Sequence, residues 1–415
     1  MSEMKKLSDI AELTVGYVGT MGKEYSEQGI KFLRSLNIKP FSFDLSDIKY
    51  IPTEFNEKIK KSELHLDDVV IVRTGIPGTC AVIPKDLNGC NCADLVIVHP
   101  NKDVVNPYYL CAFINSWGKA QVSNVKVGAV QKHFNVTSAE EMLVPLVNIR
   151  EQNNIASFIY NINIKIANNQ EITTILEQQA KLLYDYWFVQ FDFPDENGKP
   201  YKSSGGKMVW NEELKREIPE GWEIKRFIDI CDIVLGGTPK TEYSEYWDGD
   251  ISWLNSGEVA QFPVVTSELK ITELGLNNSA TVLMPKGTVI VSITGNLRVS
   301  ILAIDTCGNQ SLVGILENSE YKKEYLYPIL KDLLWYYNRI ATGNCQQHIS
   351  KGTIENTLIV CPPNDIMKSY YKKTESIYSV IIKNGLENQQ LASLRDFLLP
   401  MLMNGQVKVK GIKDE

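Results

Sequence analysis

A chain of 415 residues exceeds what one ordinary hydrophobic core supports, so two or three domains are expected. No apolar run reaches the roughly eighteen residues of a membrane span, and eight cysteines without paired spacing exclude a secreted disulfide scaffold and suit reduced thiols in a cytoplasm. The net charge of −7 argues against a chain that coats DNA unaided, because phosphate neutralisation supplies most non-specific affinity, but leaves room for local base-reading surfaces or for a basic partner.

The opening Met1-Ser2-Glu3-Met4-Lys5-Lys6 leads into a polar segment and not into a signal-peptide core. After Leu7-Ser8-Asp9-Ile10 and a Gly-rich stretch around Gly16, Gly19 and Gly22, a β-rich region begins at Gly29. Leu66 to Val72 reads as a turn feeding a buried strand that Thr74-Gly75 ends, with further strands at Cys80–Val82 and Leu95–Val98. Asn106-Pro107 starts a short helix, with Pro in its first turn. A short strand ending at Pro145 then precedes a long helix.

On that helix Ile155, Ile159, Ile162 and Ile166 follow i, i+4, i+7, i+11, and Leu176, Leu183 and Trp187 continue the face. Roughly thirty residues without Pro or Gly make a rod of about 50 Å, which needs a partner along its length. Ile377, Ile381, Leu391, Leu394, Leu398 and Met401 form a second stripe, interrupted by Asn384 at the heptad step where Asn169 interrupts the first. Past Trp187, Phe191 and Phe193 alternate with Asp192, and the Pro-, Gly- and Ser-rich stretch from Pro194 to Gly206 reads as a linker.

The second half repeats the first. Arg226-Phe227-Ile228-Asp229-Ile230 answers Lys6 to Ile10 at an offset of 220, and Asp250 to Leu254 answers Gly29 to Leu33 at 221. Gly287 to Val291 with Thr294-Gly295 echoes Asp68 to Val72 with Thr74-Gly75, and Tyr325-Leu326 answers Tyr109-Leu110 at 216. The Gly-x-x-Gln-x-His at Gly128 to His133 recurs at Gly343 to His348, and Asn384 follows Asn169, both at 215. The chain therefore divides into a β-rich globule (1–147), a helix (148–193), a linker (194–210), a second globule (211–363), a second helix (364–406) and a tail (407–415). The fold class expected is α+β, a tandem duplication of a β-rich domain followed by a long helix. The two helices bury their stripes best as an antiparallel coiled coil. There Asn169 and Asn384 either meet in the seam and fix its register or lie at its wet edge.

Catalytic motifs are missing. Gly236-Gly237-Thr238-Pro239-Lys240-Thr241 lacks phosphate-loop spacing, and no Gly-x-Gly-x-x-Gly accompanies Asn106-Pro107-Tyr108-Tyr109, whose likeness to a methyltransferase Asn-Pro-Pro-Tyr is one residue off. Cys90-x-Cys92 with His99 is too sparse for structural zinc, so no metal site is expected. Candidate DNA contacts are Gln131, Lys132 and His133 in the first half, and Gln346, Gln347 and His348 in the second. Thr294, Asn296 and Arg298 in a second loop, and Lys240, complete the set. Gln pairs bidentately with adenine, while Lys, Arg or His reaches guanine or phosphate; each loop reads equally as a plain turn or hairpin connection.

Ile218-Pro219-Glu220-Gly221-Trp222, Gly236 to Pro239, Tyr246 to Ile251, Leu254 to Glu258, and Leu182-Leu183-Tyr184-Asp185-Tyr186-Trp187-Phe188 resemble the specificity subunit of type I DNA restriction-modification systems. The resemblance implies two target-recognition domains, each reading half of a bipartite site in double-stranded DNA. The helices between them would act as spacer and as docking surface for two methyltransferase subunits, with motor-nuclease subunits added for restriction. It implies a non-catalytic chain without a cofactor of its own, S-adenosylmethionine, ATP and Mg being held by partner subunits that methylate adenine at N6. A rod of about 50 Å corresponds to roughly fourteen base pairs between the centres of two half-sites. A duplicated scaffold for proteins or glycans, and the recognition part of a fused restriction enzyme, are the alternatives.

Overall fold

The computed structural model describes residues 3–118, 121, 134–342 and 347–409. It divides into two compact units, Met1–Ile166 with Leu391–Glu415, and Ala167–Gln390. Among the described residues no helix is long and apolar enough to cross a membrane.

The first unit is built on a four-stranded antiparallel sheet in the order Ala11–Val15, Leu95–Pro100, Val69–Val72, Cys80–Val82. Val69–Val72 and the first four residues of the neighbouring central strand, Leu95 to Val98, are apolar without interruption because both faces are covered. Val69, Ile71, Val96 and Val98 enter the core shared with the helix Pro107–Phe113, while Val70, Val72, Leu95 and Ile97 enter a separate core with Leu33 and Ile38. A three-stranded sheet places Ile30–Leu33 between Lys49–Ile51, antiparallel, and Asn91–Cys92, parallel. Glu3–Lys6 pairs with Leu143–Leu146.

The second unit repeats each of these sheets. Its four strands run Ile233–Leu235, Leu312–Ile315, Val289–Ser292, Arg298–Ile301, and Trp247–Leu254 lies between antiparallel Leu269–Ile271 and parallel Cys307–Gly308. Glu223–Arg226 pairs with Leu358–Cys361. Small details are repeated too. Asp9 Oδ2 accepts from the Lys6 backbone N–H at 3.2 Å, and Asp229 Oδ2 from that of Arg226 at 3.2 Å. The buried Tyr109 donates its hydroxyl to the Pro145 carbonyl at 2.6 Å, and Tyr325 does the same to Val360. Asn106, Pro107 and the two tyrosines after them are structural: the Asn106 side chain caps the helix by accepting from Tyr108 and Tyr109 N–H.

The two long helices, Ile149–Tyr184 and Asn364–Met403, each contribute residues to both units. In the second unit Trp187 and Phe188, just past the first helix, meet Tyr370 with ring centroids 5.6 and 4.7 Å apart. Asn169 Nδ2 there donates to Glu387 Oε2 at 2.7 Å and to Asn388 Oδ1 at 2.9 Å, and Asn384 Nδ2 lies 3.4 Å from the Asn169 carbonyl. In the first unit Arg395 donates to Asn163 Oδ1 at 2.8 Å, and Ile155 and Ile159 share a core with Leu399 and Leu402. The pairing is antiparallel, and both asparagines are buried in it.

The seam departs in part from the expected stripe. Ile155, Ile159, Ile162 and Ile381 are buried, whereas Ile166, Leu176, Leu183, Ile377, Leu391 and Leu398 are half-buried, and Leu394 is 46% exposed. Burial passes instead to Ala180, Tyr184, Tyr370, Thr374, Tyr378 and Leu399. A straight helix drifts by about 20° per heptad against a 3.5-residue repeat. A line drawn through Ile and Leu alone therefore leaves the seam, and the tyrosines fill it.

Gly385 is explained by contact and not by flexibility. A Cβ there would lie 2.7 Å from Pro263 Cγ and 3.0 Å from Val265 Cγ1, so the glycine admits this loop against the helix. Overpacking of about 1–3 kcal/mol opposes a propensity gain of about 1 kcal/mol, so Gly385→Ala is expected to be net destabilising in denaturant unfolding. Unchanged or higher stability would show that the loop yields freely.

Candidate nucleic-acid interface

In the first unit the strands Val69–Val72 and Cys80–Val82 are joined by a hairpin in which Gly75 and Gly78 take φ of +82° and +86°. Positive φ is costly for any residue with a Cβ, which is why Gly follows Thr74 here. Facing it is the short turn Ser35–Asn37, closed by Asn37 Oδ1 accepting from Arg34 N–H at 3.0 Å. Between them lies a cleft of about 820 Å³ lined by Arg34, Ser35, Leu36, Lys39, Thr74 and Ile76, among others. Arg34 is held by Asp47 at 2.9 Å; Asp94 takes Arg73 at 3.1 Å and the Thr74 hydroxyl at 2.8 Å.

The second unit builds the same frame. Thr294-Gly295-Asn296-Leu297 joins Val289–Ser292 to Arg298–Ile301, with Gly295 at φ +76°. The facing turn Ser256–Ala260 is closed by Glu258 Oε2 accepting from Asn255 N–H at 2.8 Å. Arg298 Nη1 comes within 3.5 Å of the Gly257 carbonyl, across the gap.

Two groups of residues picked out separately in the sequence meet here. Gly295 N–H donates to the Gln347 carbonyl at 2.8 Å, and Thr294 Oγ1 lies 3.0 Å from His348 Nδ1. Ile349 N–H donates to Ile293 O at 3.0 Å, just as Phe134 N–H donates to Arg73 O at 3.1 Å in the first unit. Thr294, Asn296, Arg298, Gln347 and His348 thus form one edge, with Asn296 and Gln347 exposed. Gln131, Lys132, His133 and Gln346 lie outside the described residues. Lys240 is exposed beside Tyr243, its Nζ 5.5 Å from the ring, and 3.7 Å from Glu242.

Sequence reasoning missed Arg34, Lys39 and Thr74. The signal was present: carrying Thr294 to Arg298 back by the repeat offset lands on the Thr74 hairpin. Gly236 and Gly237 hold no phosphate-binding amides. Gly237 N–H is spent on Gly308 O at 2.8 Å, and a Cβ on Gly236 would lie 2.2 Å from Asn309 O. Cys90 and Cys92 are buried in the sheet core, where burial pushes the Cys90 thiol up to about 12 and Cys92 also upward. Buried structural thiols of this kind are unreactive. His99 pairs with Asp68 instead, and this hydrogen bond raises its pKa.

Residues 219–394 match the family described as the type I restriction modification DNA specificity domain. The chain is similar to the specificity subunits of type I restriction enzymes. It is 24% identical to the MjaIX specificity subunit of Methanocaldococcus jannaschii, over 99% of this chain and 94% of the relative. To the HindI specificity subunit of Haemophilus influenzae it is 23% identical, over 90% and 92%. A crystal structure of the type I restriction-modification S subunit from M. genitalium shares the fold, with a TM-score of 0.57 at 13% identity over 96% and 95% of the two chains. The matched span begins inside Ile218 to Trp222, whose Trp222 rests on Phe191 and Phe193 with centroids 5.5 and 5.1 Å apart. The first repeat lacks this motif, yet it builds the same three sheets in the same strand order.

Proposed function

We propose that this chain is a type I specificity subunit and that each of its repeats reads one half of a bipartite DNA site, through the edge formed by its Thr-Gly hairpin and the facing turn. The observation that carries this reading is the duplicated frame with unlike side chains on it. Beside the threonine they share, Thr74 and Thr294, Arg34 and Lys39 line one edge, and Asn296, Arg298, Gln347 and His348 the other. Even a shared position differs in chemistry: Asp94 holds Arg73 and Thr74, whereas its counterpart Gln310 pairs with Thr238 at 2.5 Å. Arg suits guanine, and Asn or Gln suits adenine, in the major groove. A chain of net charge −7 leaves most phosphate neutralisation to its partners. The chemistry belongs to them too: methyltransferase subunits carrying S-adenosylmethionine for adenine N6, and motor-nuclease subunits using ATP and Mg.

The long helices set the distance between half-sites and dock the methyltransferases. Leu182 and Phe397, each 69% exposed and 215 positions apart, occupy equivalent outward positions, one per repeat, at the offset that relates Asn169 to Asn384. Large apolar side chains so exposed at equivalent positions suit two copies of one partner.

Mapping of methylated adenines in cells supplied with the chain and its methyltransferase tests the reading. The double substitution Asn296→Ala and Arg298→Ala is expected to relax one half-site, each lost bidentate contact being worth about 1–3 kcal/mol of discrimination, while the other half keeps its sequence. A change in both halves, or in neither, refutes the assignment of this edge. In the same assay seven residues inserted at facing levels of both helices, the first after Ala167, add about 10 Å. That lengthens the unread spacer by roughly three base pairs and leaves both half-sites intact; altered half-sites would defeat the spacer role. For docking, Leu182→Glu or Phe397→Glu is expected to leave one methyltransferase per chain, and the pair none, in size-exclusion chromatography with light scattering. Full assembly of the double variant would place docking elsewhere.

A further inference from the structure

Asp68 ends the turn before the central strand of the first unit and is buried, yet it faces two histidines. Its Oδ1 lies 2.7 Å from His99 Nδ1, on the neighbouring strand. Its Oδ2 accepts from the His65 backbone N–H at 2.7 Å and lies 3.7 Å from His65 Nδ1. One ligand atom from each of His65, Asp68 and His99 falls within 4.8 Å of the other two.

Two imidazoles and a carboxylate form a donor set that suits zinc and its neighbours. Tetrahedral bonds of about 2.1 Å put ligand atoms about 3.4 Å apart; here Asp68 Oδ1 stands 2.7 Å from His99 Nδ1 and its other oxygen, Oδ2, 3.7 Å from His65 Nδ1. The His65 side chain is 62% exposed, so it is free to close the remaining gap, with water in the fourth position. At the far nitrogen of one ring, Thr14 Oγ1 is within hydrogen-bond distance of His99 Nε2 at 3.2 Å, while Glu63 Oε1 stands 3.9 Å from His65 Nε2. Metal-bound histidines are oriented by partners of this kind.

The fold does not require this cluster. Ile83 N–H donates to Asp68 O as Leu302 N–H does to Thr288 O, and Val98 pairs with Val69 as Ile315 pairs with Val289. The second repeat therefore builds the same sheet with Pro285, Thr288 and Leu316 where the first has His65, Asp68 and His99. We propose that the first repeat binds one divalent transition-metal ion, zinc by its donor set, through His65, Asp68 and His99. The ion replaces the proton shared by Asp68 and His99, which leaves to solvent, and staples the turn to the neighbouring strand. It acts at the end of Val69–Val72 remote from the Thr74 hairpin.

The test uses the full-length chain, stripped of metal under reducing conditions and titrated with Co²⁺ and then Zn²⁺. One equivalent of cobalt is expected to give tetrahedral ligand-field bands without thiolate charge transfer, and zinc is expected to displace it and raise the melting temperature. His65→Ala, at an exposed position, is expected to fold and lose that equivalent, and His99→Gln to lose it as well. The proposal is overturned if the wild-type chain takes up no cobalt, if His65→Ala leaves uptake unchanged, or if the bands lost on substitution are those of a thiolate site.

Discussion

In neither unit do the strands complete a core by themselves. In the first, the sheet face carrying Val69, Ile71, Val96 and Val98 is closed by Ile155 and Ile159 from one long helix and Leu399 and Leu402 from the other. In the second, the face carrying Val289, Val291, Val313 and Ile315 is closed by Ala180 and Tyr184, and by Tyr370, Tyr378 and Ile381. Each unit thus takes the start of one helix and the end of the other. Only antiparallel helices satisfy both, so the topology of the duplication and the direction of pairing are one constraint. Burying a Leu, Ile or Tyr is worth about 1.5–3 kcal/mol, and several from each helix in each unit make the helices integral to both cores.

How much of this was legible follows from what repeats. Backbone demands recur in both halves: a Gly at positive φ after Thr74 and after Thr294, a tyrosine hydroxyl on a strand carbonyl from Tyr109 and from Tyr325, an aspartate closing a turn at Asp9 and at Asp229. Such demands tolerate few residue types, and so they survive as a visible offset. The helix seam was less legible. Tyrosine fills it at positions 370 and 378, and periodicity read from Ile and Leu passes tyrosine over. The candidate reading edge was half legible. Thr294 to Arg298 and Gln347-His348 were visible as motifs, but their meeting depends on backbone bonds such as Gly295 to Gln347, which no spacing announces. The trio His65, Asp68 and His99 was invisible for the same reason, since strand pairing alone brings His99 beside a turn more than thirty residues earlier.

On the proposed reading, the two edges let one fold serve two sequences. Main-chain geometry is held in common: a turn closed by the side chain three residues on, and a glycine hairpin opposite. The side chains facing the gap differ. Arg34 is tethered by Asp47, which sets its reach, whereas Arg298 spans toward a backbone carbonyl. A charged group held by a partner before binding loses less entropy on binding, but must exchange that partner for a base. The two halves therefore differ in pre-organisation as well as in chemistry.

The polar cluster at the middle of the helices is intelligible on the same terms. An all-apolar seam of Ile and Leu offers similar burial when slipped by a heptad, so burial alone discriminates poorly between registers. Asn169 changes that balance. Its amide donates to Glu387 and Asn388, and Asn384 approaches its carbonyl. Any slip leaves the buried Asn169 amide without these partners, at about 1–3 kcal/mol. If helix length sets the spacing of half-sites, one heptad of slip is about 10 Å, or roughly three base pairs. A spacer of this kind needs a single register more than it needs added stability, and buried asparagine provides the first at some expense of the second.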